Sequence, residues 1–204
     1  ELTKAIYERV PILIDKRRKE GGNPWGLRFA TMFHQTNDAE LFHEPAKLAK
    51  MGLKLEDNHW RKGKRTFLPL YEAKMIQAYD HRAASVRIEP GNWMRQGQTE
   101  ATTLVQHQNP EFVAQPRWWV EEEAVGEKIG TWAIGFKDIT SPTNERTMIA
   151  AAAPRAAFTN HFVLLLCDAP PRSQCCLLAN LNSVISDFVT RQKIGGVTLN
   201  FFIV

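Results

Sequence analysis

The stretch HFVLLLCDAPPRSQCCLLANLNSVISDFVTRQKIGG, residues 161–196, carries the clearest secondary-structure signals in the chain. Its first part, 161–166, is an apolar run typical of a strand. The remainder repeats apolar residues at helical spacing, in a stripe formed by Leu177, Leu181, Val184 and Phe188 and widened by Leu178, Ile185 and Val189. Ser173 is suited to cap this helix, and Gly195 and Gly196 are suited to end it. The stretch predicts one strand followed by one long helix.

Patterns on the N-terminal and C-terminal sides of this stretch predict further elements. Helices are expected at 2–19, kinked by Pro11, and at 44–52, stopped by Gly52, with a helical turn in 72–79. Extended segments are expected at 27–33, 66–70, 112–120, 132–136, 147–153 and 197–204. The polar stretch 82–109 indicates a long loop or a group of short strands. These elements predict an α+β fold with one or more mixed sheets and a few helices, in one lobe or in two small lobes, 1–110 and 111–204.

The composition is that of a globular protein, because 44% of the 204 residues are hydrophobic and 24% are charged. The longest apolar run, 162–167, is too short to span a bilayer, so no membrane partner is expected. The first residue is Glu1, no signal peptide follows it, and the chain stops within a predicted strand; the sequence is therefore expected to be a piece of a longer protein. Three clustered cysteines without metal-ligand spacing indicate buried thiols in a reducing cytoplasm (Cys167, Cys175 and Cys176).

The charge is mildly basic, with a net charge of +4 and an isoelectric point near 9.0. Its distribution is more informative than its sum. The segment Arg61-Lys62-Gly63-Lys64-Arg65 concentrates four cations around one glycine, whereas the acids cluster at Glu121-Glu122-Glu123. Such a loop is compatible with nucleic-acid binding and equally with a solvated surface.

The motifs of several enzyme classes are absent from the sequence. Adenine methylation requires an Asp/Asn-Pro-Pro-aromatic loop, but Pro170-Pro171 is preceded by Ala169 and followed by Arg172. No glycine-rich turn for S-adenosylmethionine or a dinucleotide, no P-loop and no His-Glu-x-x-His segment occurs. We therefore expect no catalytic residue, no metal site and no cofactor in this chain.

Five groups of residues, in order, resemble one protein family. They are 24–29 with 32–38 (PWGLRF, MFHQTND), 68–76 with 79–82 (LPLYEAKMI, YDHR), 135–140 with 144–147 (GFKDIT, NERT), 178–183 (LANLNS) and 187–196 (DFVTRQKIGG). Together they resemble the region that follows the catalytic domain in large adenine-specific DNA methyltransferases. These are the Eco57I-like type IIG enzymes and the related methylases of BREX- and DISARM-type phage-defence systems. Ala73 and Lys137 depart from the family, where glycine and arginine are expected.

The resemblance implies a target-recognition domain, which binds double-stranded DNA so that a catalytic domain can flip out and methylate an adenine. It also implies that this catalytic methyltransferase domain lies elsewhere in the parent chain. S-adenosylmethionine is then the cofactor of the parent protein and not of this segment.

DNA recognition needs cations for phosphates, and Arg, Lys, Asn or Gln for base edges. Residues 191–198 supply cations, a glycine turn and a hydroxyl, and we interpret them as a phosphate clamp; a glycine cap on the helix is the alternative. For Arg146, the alternative is a buried pair with Asp138 or Glu145. The candidates for DNA contact are Arg61, Lys62, Lys64, Arg65, Arg82, Arg95, Gln96, Gln98, Lys137, Arg146, Arg191, Lys193, Gly195, Gly196 and Thr198.

Two other functions remain open on the sequence. Glu72-Ala73-Lys74 matches the Glu-x-Lys end of an Mg²⁺-dependent nuclease site, with Asp57 as an upstream carboxylate. The segment could instead form a platform for partner subunits through its apolar surface.

Overall fold

The computed structural model describes residues 1–88, 97–127 and 129–200. Its helices are α1 (Leu2–Arg9), α2 (Pro45–Lys50), α3 (Leu104–Gln108), α4 (Glu122–Val125), α5 (Pro171–Leu181) and α6 (Val184–Lys193). Its strands are β1 (Arg28–Ala30), β2 (Lys54–Glu56), β3 (His59–Lys62), β4 (Arg65–Tyr71), β5 (Ala84–Val86), β6 (Thr99–Ala101), β7 (Trp119–Glu121), β8 (Trp132–Lys137), β9 (Ala150–Pro154), β10 (Ala157–Phe158) and β11 (Phe162–Leu166). None of the helices in the described ranges is long and apolar enough to cross a membrane.

The strands form two main sheets. The central sheet has the order β1-β11-β8-β9 and is antiparallel throughout. The ribbon sheet has the order β10-β4-β3-β2, with β7 also paired to β4 and only the β10–β4 pair parallel. Strands β5 and β6 form a separate hairpin within the polar stretch 82–109. The α+β class is therefore confirmed, and the ribbon sheet is a mixed sheet.

The central sheet is buried on both faces. Along β11, Phe162 and Leu164 contact the core shared with the ribbon sheet, whereas Val163 and Leu165 contact the core beneath α5. This alternation follows from the two-residue period of a strand. A third core, which includes Leu48, attaches α2 to the opposite side of the ribbon sheet. The order of layers is α5 and α6, central sheet, ribbon sheet, α2.

Both main sheets join strands from the first and second halves of the chain. β1 pairs with β11 in the central sheet, and β4 pairs with β7 and β10 in the ribbon sheet. Neither sheet could therefore be completed by 1–110 or by 111–204 alone.

The long helix predicted from the apolar stripe is two helices. The first begins at Pro171, so the prediction that Ser173 caps it is wrong: Pro170 holds the cap position and Ser173 lies inside the helix. The break is at Asn182-Ser183, and Ser183 caps the second helix by accepting a bond from the backbone N–H of Ser186 at 3.1 Å. The stripe fails beyond the break, because Val184 is 75% exposed while Asp187 and Thr190 are buried. On this inward face Asp187 binds backbone N–H groups, as described below.

Other boundaries also differ from the sequence-based expectations. The first helix ends at Arg9, and 10–27 contains no helix or strand. Within 112–120, only Trp119 and Val120 belong to a strand. The helix expected at 44–52 is confirmed, with Gly52 at φ +80° after its end. Of the final strand expected at 197–204, an isolated bridge joins Thr198 to Ile139, and 201–204 lies outside the described residues.

Gly135 on β8 packs closely against β11 of the central sheet. A Cβ atom placed there would lie 2.6 Å from Cε1 of Phe162 and 2.7 Å from the backbone oxygen of Val163. Phe162 is fully buried, so its ring has little room to retreat.

We predict that Gly135→Ala lowers the free energy of unfolding by about 1–3 kcal/mol through overpacking. Urea unfolding followed by circular dichroism measures the change. Gly130→Ala is the matched control, because its Cβ would meet no atom within 4 Å. Equal unfolding midpoints for the two variants would contradict the argument.

Candidate nucleic-acid interface

The predicted basic loop is the tip of a three-stranded antiparallel meander, residues 54–66, which contains β2, β3 and the start of β4. Asp57 and Asn58 form the first turn with φ of 48° and 61°, the left-handed geometry of a two-residue hairpin turn. Gly63, at φ 58°, begins the second turn, which joins Lys62 to Arg65. The glycine is required there because positive φ disfavours other residues.

The first turn is fastened to the body of the protein by Asn58, which is buried. Its Nδ2 donates to the backbone oxygen of Ala114 at 3.3 Å, and its own backbone oxygen accepts from Nε1 of Trp119 at 2.9 Å. The meander is therefore held at one end and projects its second turn.

The strand register divides the meander into two faces. Leu55, Trp60 and Phe67 are cross-strand neighbours, and Trp60 and Phe67 belong to the core beneath α2. Lys54, Arg61 and Thr66 form the next row and therefore lie on the other face. Glu56 and His59 lie on the same face, because Glu56 is two residues from Lys54 and His59 is two residues from Arg61. We call these the α2 face and the open face.

The cations of the α2 face are engaged within the protein. Nζ of Lys62 donates to the backbone oxygen of Met51 at 2.6 Å. Arg65 binds Glu121 through both carboxylate oxygens, at 2.6 and 3.1 Å, and lies 5.2 Å from the ring centroid of Phe67. The hydrogen bond from Arg65 is the main cause that lowers the pKa of the Glu121 carboxyl. Both cations, predicted as DNA contacts, thus also stabilise the meander.

The cations of the open face and the tip are more available. Arg61 is exposed, and its Nη1 is 3.8 Å from Oε2 of Glu56, too far for a hydrogen bond. Lys54 and Lys64 are exposed, and no acceptor within the described part of the chain binds either ammonium group. Lys54, Glu56 and His59 were not among the predicted site residues; only the hairpin register reveals that they share a face with Arg61.

Positive charge is concentrated around the meander. Residues 47–65 contain seven Lys and Arg side chains against Glu56 and Asp57, a net charge of +5, so the rest of the chain carries −1. Lys47 and Lys50 on α2 are exposed and add to this field. Burial, followed by the positive charge of Lys47, lowers the pKa of His43 nearby.

A second group of cations occurs at 16–19, outside any helix or strand. Arg17 and Arg18 are paired there with Asp15, at 2.9 and 3.6 Å. Lys16 and Lys19 are exposed. This turn carries exposed charge without a regular scaffold.

In the predicted phosphate clamp at 191–198, Arg191 binds groups of the protein itself. The Arg191 guanidinium donates to the backbone oxygens of Pro142, Asn144 and Glu145 and to Oδ2 of Asp187, at 2.5–3.1 Å. Lys193 is exposed and lies 4.6 Å from the ring centroid of Tyr7. The exposed residues Gly195, Gly196 and Thr198 follow it. Of the alternative, the basic part holds, because Arg191 and Lys193 lie in the last turn of α6, where cations favour the helix dipole. The glycine part does not, because Ile194 holds the cap position and neither glycine adopts positive φ.

The other predicted contacts are dispersed. Arg82 donates to the backbone oxygens of His107, Asn109 and Phe112, and Lys137 donates to that of Ile76 at 3.3 Å. Burial lowers the pKa of Lys137. Arg146 donates to the backbone oxygen of Asn182 and approaches Asp187 at 4.0 Å; Asp187 thus replaces the expected partners Asp138 and Glu145. Gln98 is exposed, and Arg95 and Gln96 lie outside the described residues.

The Glu-x-Lys residues considered for nuclease chemistry form an ion pair with each other. Oε2 of Glu72, a buried residue, accepts from Lys74 at 2.8 Å and from Gln35 at 3.0 Å. Within 1–88, 97–127 and 129–200, no group of three or more His, Cys, Asp or Glu side chains is arranged to hold a metal ion.

Comparisons with models of known protein families, with curated proteins and with solved structures give no match. The methyltransferase resemblance therefore stays a prediction. Parts of three of the quoted groups lie in one polar cluster, where Asn182 and Asp187 bind the segment 147–150.

In this cluster the side chain of Asn182 pairs with the edge strand β9. Its Nδ2 donates to the backbone oxygen of Ala150 at 2.8 Å, and its Oδ1 accepts from the N–H of Ala150 at 3.0 Å. Oδ1 of Asp187 accepts from the N–H groups of Thr147 and Met148, at 2.7 and 2.8 Å. Burial by itself would raise the pKa of Asp187, but the bonds from Met148, Arg191 and Thr147 hold the pKa below the usual 3.8.

We predict that Asp187→Asn lowers the free energy of unfolding by about 1–3 kcal/mol at pH 7. Since the folded-state pKa is depressed, the charge stabilises the fold above pH 3.8 and loses this effect as the pH falls through the folded-state pKa. Urea unfolding of both proteins at pH 7, 5 and 3 should show the difference shrink at pH 3. A difference that is independent of pH would contradict the prediction.

Asp168→Asn is the matched control for this experiment. Asp168 has a side chain 71% exposed and pairs with Arg28 at 3.4 Å. Such an exposed pair contributes roughly 0–1 kcal/mol.

Proposed function

We propose that this protein binds double-stranded DNA as the target-recognition module of an adenine-N6 DNA methyltransferase from a restriction-modification or phage-defence system. The observation that carries the DNA-binding part is the +5 charge of 47–65, which spans α2 and most of the antiparallel meander, in a chain that is otherwise −1. The ordered resemblance supports the methyltransferase part. S-adenosylmethionine and the catalytic residues would then belong to another part of the parent chain, and the compartment would be the cytoplasm.

The shape and the exposed cations of the meander support binding to duplex DNA. The major groove admits a two-stranded β-ribbon, and beyond Arg61 and Thr66 the meander narrows to the pair Lys62 and Arg65 and the turn that joins them. The ammonium groups of Lys54 and Lys64 are exposed on the open face and at the tip, where they could reach phosphates. Phosphate contacts supply most of the nonspecific affinity and make it sensitive to salt.

The C-terminal cations Arg191 and Lys193 have a smaller role in the proposed DNA binding than the meander. Because Arg191 already has four intramolecular acceptors, phosphate binding by this residue would break bonds that hold 142–145. Lys193 keeps its ammonium group exposed and remains a candidate for a phosphate contact.

We predict that the protein binds a fluorescently labelled duplex with an affinity that falls steeply between about 50 and 200 mM salt. The double variant Lys54→Glu and Lys64→Glu should weaken binding at least about tenfold and reduce the slope of the logarithmic salt dependence by about 2, one for each lost phosphate contact. Fluorescence anisotropy measures both quantities.

The double variant Lys16→Glu and Lys19→Glu controls for total charge, because it removes the same number of cations from the turn at 16–19. It should retain most of the wild-type affinity. An equal loss in both variants would show that charge alone matters and would reject the meander as the interface. Absence of duplex binding by the wild type at all salt concentrations would reject the proposed function.

A further inference from the structure

The open face carries charges of both signs, which a surface for phosphates alone would not. Arg61 and Glu56 lie together on this face, and both are exposed. A carboxylate repels phosphate, so Glu56 weakens the electrostatic attraction of this face to the DNA backbone. Base edges in the major groove, in contrast, present donors as well as acceptors.

The two side chains are complementary to one base pair. Arginine donates two bonds to O6 and N7 of guanine, and a carboxylate accepts from the amino group of cytosine. The 3.8 Å separation of Nη1 of Arg61 from Oε2 of Glu56 keeps the guanidinium near the carboxylate without a hydrogen bond to it. Both groups can therefore exchange this loose contact for bases at small cost, because exposed ion pairs contribute little.

The strand register keeps these groups on a common, supported surface. Arg61 is paired across the strands with Lys54 on one side and Thr66 on the other, and Glu56 is paired with His59. Trp60 and Phe67 anchor the reverse side of the same strands in the core beneath α2. Side chains on paired strands are positioned more accurately than side chains on loops.

We propose that the open face of the meander recognises base edges in the major groove, with Arg61 donating to guanine and Glu56 accepting from the paired cytosine. This inference rests on the proposed DNA-binding function and adds its specificity determinants. Lys54 and Lys64 supply affinity without sequence preference, whereas Arg61 and Glu56 select a G·C pair.

The test is selection of bound duplexes from a randomised pool by the wild type and by Arg61→Ala, Glu56→Gln and Lys64→Ala. The wild type should enrich a motif with at least one fixed G·C pair. Arg61→Ala should lose the preference at that position by roughly 5- to 150-fold, the discrimination expected of one bidentate contact. Glu56→Gln should relax the same position. Lys64→Ala should select the unchanged motif and bind all sequences more weakly.

The outcomes separate the two proposals. Absence of binding by the wild type overturns DNA recognition as such. Binding without an enriched motif, or an unchanged motif in Arg61→Ala, overturns the role of the open face and leaves the DNA-binding function standing. Thermal unfolding of each variant excludes misfolding as the cause, and Arg61→Ala should unfold at the wild-type temperature because the side chain is exposed.

Discussion

The register of β4 links the core of this protein to its candidate interface. At its C-terminal end, Leu68 and Leu70 must face the central sheet, because both are buried in the shared core. Since side chains alternate along a strand, this requirement places Thr66 on the continuation of the same face. Cross-strand pairing then assigns Arg61 and Lys54 to it. A slip of one residue would exchange the side chains of the two faces, so the hydrophobic core fixes which side chains the meander presents.

Several arginines in this protein bind backbone oxygens of the fold, so a count of cations does not identify the residues that are available to a ligand. Arg82 and Arg191 each bind several backbone oxygens of irregular segments, and Arg155 does the same between Gly126 and Ile129. The planar guanidinium suits this task because it offers five donors. The cations that remain exposed around the meander are mostly lysines, which leaves Arg61 as the residue there with the geometry for two bonds to one base.

The sequence predicted the fold class and the elements whose packing is local in origin. The strands β8 and β11, the helix α2 and the buried leucines Leu177 and Leu181 follow from periodicity and from Gly52. The break at Asn182 could not be predicted, because Asn182 leaves the helix to pair with Ala150 on the distant strand β9. The apolar residues beyond the break happen to keep the spacing of the stripe, which is why the sequence predicts one continuous helix. Val184, which is 75% exposed, shows that this spacing does not reveal where a tertiary hydrogen bond ends a helix.

The candidate interface was only partly predictable, again because tertiary structure decides what sequence spacing does not show. The four cations at 61–65 identify a basic segment directly, but sequence spacing does not say that Lys62 and Arg65 lie on one face while Arg61 lies on the other with Glu56 and Lys54. That division depends on two turns, one at Asp57-Asn58 and one at Gly63, which set the register of three strands. It also has a physical consequence. Cations bound to Glu121 and Met51 hold the meander in shape, while those on the open face and at the tip make no hydrogen bond to the described part of the chain.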